Sequence, residues 1–116
     1  MLIDGGSATT VSYMSNTLPI PADKPAIAAC TALAGEMLGL RLIYMDAGSG
    51  ARMPVPPAMI REVKKTISLP VVVGGGINSA ASASRAASAG ADIIVVGNAL
   101  EKDPALVKDI SKAIHR

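Results

Sequence analysis

A chain of 116 residues with 11 basic and 9 acidic side chains carries a formal net charge of +2, and no basic run is longer than Lys64-Lys65. With two tyrosines as its only aromatic residues, it lacks the clustered cations and stacking rings of a nucleic-acid-binding surface. One cysteine, Cys30, excludes an internal disulfide framework and suits a reducing cytoplasm, and no stretch approaches the roughly 18 apolar residues of a membrane helix.

Strand and helix alternate along the chain. Ile3 opens weakly, Lys24 to Leu38 is helical, Arg41 to Asp46 a strand, Ala58 to Ile67 helical and Leu69 to Val73 a strand. Ser79 to Ala89 is the next helix, Asp92 to Val96 the next strand and Pro104 to His115 the last helix. Asp103-Pro104 puts a capping carboxylate before a proline at the first helical position. Gly39 and Gly90 sit where helices stop in a left-handed conformation. Leu106, Val107, Ile110, Ala113 and Ile114 form the buried stripe of the last helix, with Lys108, Asp109 and Lys112 on its solvated side. Ser79 is placed to cap its helix, whose small residues suit close packing on a sheet. Cys30, among alanines, and the scattered methionines read as core residues. Met1 to Gly6 lacks a basic region and a long apolar run, so no signal peptide is expected.

Two of these strands end alike. Val71-Val72-Val73-Gly74-Gly75-Gly76-Ile77-Asn78 and Ile93-Ile94-Val95-Val96-Gly97-Asn98 are apolar runs ending in glycine, with one helix between them. Apolar runs of this kind are buried parallel strands, and the glycines let backbone N–H groups approach an anion where the next helix begins. The layout matches the phosphate-binding loops after the seventh and eighth strands of a (β/α)8 barrel. The chain therefore reads as one α/β domain over residues 1–116, the C-terminal half of a TIM barrel with about four βα units and parallel strands. A closed barrel typically takes about 250 residues, so the expectation is a fragment, or a half that closes by pairing with another copy.

The strand from Arg41 to Asp46 carries the best candidates for chemistry. Alternation puts Leu42, Tyr44 and Asp46 on one face and Ile43 and Met45, suited to packing on helices, on the other. Tyr44 and Asp46 then point into the barrel mouth at the strand's carboxyl end. The turn Ala47-Gly48-Ser49-Gly50-Ala51 offers backbone donors to a small polar ligand. The alternative is that Asp46 merely caps or braces that turn. No metal-ligand spacing is present, and the lone histidine, His115, reads as a surface residue at the tail.

Tyr44 to Ala51, Val73-Gly74-Gly75-Gly76-Ile77 and Gly97-Asn98, at these separations, resemble geranylgeranylglyceryl phosphate synthase, the archaeal ether-lipid prenyltransferase, and its heptaprenylglyceryl phosphate relatives. Gly6 to Tyr13 and Pro19 to Pro25 look like that family's passage from its fifth strand into its fifth helix, so the resemblance covers nearly the whole chain. It implies transfer of a prenyl group from its diphosphate to sn-glycerol 1-phosphate with magnesium's help. It also implies a glycerol phosphate site made of Tyr44, Met45, Asp46, Ala47, Gly48, Ser49, Gly50, Gly74, Gly75, Gly97 and Asn98, with Asp46 and Tyr44 at the chemistry. Asp46 would accept the proton of the attacking hydroxyl. The family pattern has glutamate there, and the shorter aspartate would sit about an ångström further back. A displacement of that size can cost about a hundredfold in rate.

The first strands of the family, which supply the magnesium-binding carboxylate and most of the prenyl groove, have no counterpart in these residues. Prenyl diphosphate would bind only with that other half, and no transfer is expected from the 116 residues alone. The alternatives are a non-catalytic phosphate-binding half barrel, with self-association possible, or another phosphate-binding barrel enzyme; the latter shares the glycine loops but lacks the Tyr44-to-Ala51 motif.

Overall fold

A computed structural model describes residues 1–115. Three strands, β1 (Ile43–Asp46), β2 (Val71–Gly74) and β3 (Ile93–Val95), form a sheet in that order, and both pairings are parallel. Both β1 and β2 begin later than their apolar runs suggest. Ile43 N–H donates to the Pro70 carbonyl, but Pro70 has no N–H to carry the ladder further back. The weak strand at Ile3 exists only as two isolated parallel bridges, Leu2 with Asp46 and Ile3 with Ile20, so the N-terminal residues extend the sheet beside β1.

The helices are α1 (Thr10–Ser15), α2 (Pro25–Met37), α3 (Pro57–Thr66), α4 (Ala80–Ala89), α5 (Asn98–Lys102) and α6 (Leu106–Ile114). The core cluster joins Ile43, Met45, Val71 and Val73 to residues of α2, α3, α4 and α6, including Ala32, Met59, Ile60, Ala83 and Ile110. The opposite sheet face is open, with Leu42 48%, Tyr44 37%, Ile93 51% and Val95 42% exposed. That is the face a closed barrel would fill.

Local chemistry sets the helix ends. Thr9 caps α1 and Ser79 caps α4, each in a reciprocal box with the serine three residues on. Gly39 follows α2 at φ +82° and Gly90 ends α4 at φ +113°, the left-handed stops expected. The last helix begins later than expected. Asp103 accepts from Ala105 N–H at 3.1 Å, and Leu106 N–H bonds the Asp103 carbonyl, so Asp103-Pro104 opens a tight turn that leads into α6 at Leu106. Short helices α1 and α5 lay within segments not assigned from the sequence; neither buries a side chain, so neither has an apolar stripe to reveal it.

Three core assignments are corrected. Cys30 is exposed, because α2 turns Ala28, Ala32 and Gly35 inward and Cys30 lies on the other side. Val107 is 49% exposed; Ile110 carries the buried face of α6. Met45 and Met59 are fully buried, whereas Met14, Met37 and Met53 are exposed. Periodicity alone does not tell which side of an apolar helix meets the sheet.

Asp92 pins the amino ends of the strands. Its Oδ2 accepts from Lys64 Nζ at 2.6 Å and from Val71 N–H at 2.7 Å. These bonds, the one from Lys64 first, hold its carboxyl below the ordinary value.

Candidate functional site

Register brings the site together. Asp46 pairs with Gly74 and Gly74 with Val95, so the three strands end in one row. The loops that follow therefore leave from the same edge of the sheet, and between them lies a cavity of about 680 Å³. Tyr44, Asp46, Ser49, Gly50, Gly75, Gly97 and Asn98 all line it. Of the other candidates, Met45, Ala47, Gly48 and Gly74 are buried and do not line it. Met45 belongs to the core cluster on the helix side, the position its strand face demands.

The loops hold one another in place. Asp46 Oδ1 accepts from Gly48 N–H at 2.8 Å, so Asp46 does brace its turn; this leaves its second carboxylate oxygen for a ligand. Ala47 N–H donates to the Gly74 carbonyl at 3.0 Å, tying the first loop to the second. Ser49 hydroxyl donates to Asn98 Oδ1 at 3.1 Å, tying the first to the third and leaving the Asn98 amide free to donate.

Gly75 is required twice over: its φ is +83°, and a Cβ there would stand 2.7 Å from the Gly48 nitrogen. Gly74 makes room for the Tyr44 hydroxyl, with which a Cβ there would clash. Burial, followed by repulsion from the Asp46 carboxylate, raises the Tyr44 pKa. Its hydroxyl therefore keeps its proton at neutral pH and can donate to a polar ligand. Nothing stands within 4 Å of the Cβ position at Gly97, so that backbone is open to an incoming group.

The two glycine loops differ in their free donors. At the start of α4, Asn78 and Ser79 N–H groups donate to Ser82 Oγ, and Ser82 N–H donates to Ser79 Oγ. The capping box therefore consumes these amides, and Ser79 is a cap whose side chain is absent from the cavity wall. At the start of α5, no side chain caps the helix, so amides there keep their capacity for an anion. Sequence reasoning also missed Gly76, Asn78 and Lys102, which line the same cavity. Lys102 lies on a short helix with no apolar period, and the glycine run itself was the available signal for Gly76.

The described residues bring no group of three His, Cys, Asp or Glu side chains together to hold a metal ion, and no helix among them is long and apolar enough to cross a membrane.

Parallel strands, with helices on one face and glycine loops gathered at their carboxyl ends, define a segment of a TIM barrel. A structure of (S)-3-O-geranylgeranylglyceryl phosphate synthase from Thermoplasma acidophilum, in complex with its substrate sn-glycerol-1-phosphate, superposes with a TM-score of 0.91 at 36% identity, covering 97% of this chain and 46% of that one. The wild-type synthase from Thermoplasma volcanium gives 0.87 at 37% identity, over 94% and 45%. Among curated proteins, the geranylgeranylglyceryl phosphate synthase of Chitinophaga pinensis is 58% identical over 99% of this chain and 46% of its own length. That of Thermococcus gammatolerans is 52% identical over 93% and 42%. The PcrB family model matches residues 2–115, and the chain belongs to the PcrB family. It spans about half the length of the relatives it matches, which come from bacteria as well as archaea.

Proposed function

We propose that this segment is the glycerol phosphate half of a geranylgeranylglyceryl phosphate synthase, equivalent to strands five to eight of the barrel. In that enzyme a geranylgeranyl group passes from its diphosphate to sn-glycerol 1-phosphate. The observation that carries this reading is the convergence of Tyr44, Asp46, Gly75, Gly97 and Asn98 on one cavity, at the end of the sheet where barrel enzymes keep their chemistry. The bound substrate of the Thermoplasma acidophilum relative supports the choice of ligand.

In this mechanism the open amides at Gly97 and Asn98, with Gly75, hold the phosphate, and Tyr44 and Asp46 meet the glycerol hydroxyls. As the allylic C–O bond to diphosphate breaks, the glycerol hydroxyl oxygen bonds to the prenyl carbon. The proton of that hydroxyl passes to the Asp46 oxygen that Gly48 leaves free. Diphosphate departs with the electron pair of the broken bond. A magnesium ion, when bound, would offset the negative charge of the departing diphosphate. The described residues bring no three His, Cys, Asp or Glu side chains together to hold it, and its ligands would lie in the part of the barrel this chain does not span.

The test is calorimetric titration of the purified chain with sn-glycerol 1-phosphate, alongside product formation from geranylgeranyl diphosphate and magnesium. The expected result is binding without turnover, and turnover once the amino-terminal half of the Chitinophaga pinensis relative is added. Turnover by this chain alone, or failure to bind the phosphate, overturns the proposal.

A further inference from the structure

Lys102 differs in the sign of its charge from every other side chain on the cavity wall. It is the one lysine or arginine among the residues lining the cavity, which Asp46 and Asp103 also line. Asp103 already accepts from Ala105 N–H, and Asp46 from Gly48 N–H. Among the described residues the ion pairs are Lys24 with Asp23 and Lys64 with Asp92, and Lys102 belongs to neither. Asn98 and Lys102 are four residues apart on α5, which sets them one above the other on the same helix face. That face is the cavity wall.

A cavity lined by two carboxylates repels a phosphate unless a cation offsets them. Backbone amides orient an anion but carry only partial charge, whereas an ammonium on a flexible stem supplies a full one. Resting on the glycerol phosphate reading of the cavity, we infer that Lys102 is the counter-charge for the ligand's phosphate. It makes the site select a phosphorylated polyol over the neutral one. Asn98 and the glycine amides fix where the phosphate sits, and Lys102 sets how strongly its charge is favoured.

The experiment compares the wild-type chain with Lys102→Met and Lys102→Arg by titration with sn-glycerol 1-phosphate, inorganic phosphate and glycerol, at low and high salt. At low salt Lys102→Met is expected to weaken sn-glycerol 1-phosphate binding about fivefold, as for a solvent-accessible ion pair. The difference shrinks at high salt, Lys102→Arg retains the affinity, and any weak affinity for glycerol is unchanged. Melting temperatures stay the same, since Lys102 is exposed; this separates ligand binding from a structural role at the helix end. Equal affinity and equal salt dependence in wild type and Lys102→Met overturn the inference. Lysine-dependent binding of inorganic phosphate without binding of the glycerol ester keeps the inference and removes the glycerol reading. Binding of neither anion removes both.

Discussion

Asp46 has two oxygens and one of them is already engaged. The Gly48 N–H bond holds the carboxylate in the turn, and the remaining oxygen is the one that could take a proton. On the proposed mechanism, Asp46→Asn in the complemented enzyme lowers turnover by about a hundredfold or more. Binding of sn-glycerol 1-phosphate changes far less, because the asparagine oxygen can still accept from Gly48; single-turnover rates set against calorimetric affinities check this. Gly75→Ala acts on the fold instead. A side chain at φ +83° set against the Ala47–Gly48 backbone is expected to cost more than about 2 kcal/mol, measured as a lower melting temperature. The motif around Asp46 was legible as a string, but the division of labour between its oxygens was not, because a one-dimensional pattern does not say where a side chain's own backbone turns.

Among the elements, α4 and its surroundings show how local bonds place the site. Ser79→Ala removes the cap and frees the Ser82 amide that Ser79 Oγ now accepts from, with an expected loss of about 1 kcal/mol in a denaturant melt. Lys64 and Asp92 tie α3 to the start of β3. Since the folded Asp92 pKa is depressed, this stabilisation is present above the ordinary aspartate value and disappears as pH falls through the folded one. Lys64→Met is expected to cost up to about 1 kcal/mol at neutral pH, both groups being partly exposed. The gap from wild type should close in strong acid, where Asp92 is protonated in both; melts across the acid range check the sign. Long periodic helices such as α2, α3 and α4 were readable from sequence to within a residue or two. Helices α1 and α5 were not, since caps and a glycine rather than an apolar face define them.

At the scale of the whole molecule, the open sheet face is the dominant fact. Leu42, Ile93 and Val95 remain about half exposed, and a contiguous apolar face of this kind seeks a cover. The double substitution Ile93→Lys with Val95→Lys is expected to reduce binding of a hydrophobic dye while leaving the core on the helix side folded. The same change should abolish activation by the complementing half, read as product formation in the mixed assay. Retained activation would show that the two halves do not join through this face.

Alternation of apolar runs with glycine determined by itself that the chain is parallel α/β, and the Tyr44-to-Ala51 turn with the two glycine loops determined its family, because backbone conformation and buried periodicity are written locally. Tertiary structure alone decided that Asp46, Gly74 and Val95 end in one row, that Cys30 faces outward, and that Lys102 joins the cavity. These depend on strand register and on which side of each helix meets the sheet, and such contacts form between residues far apart in the chain, where no local preference can specify them.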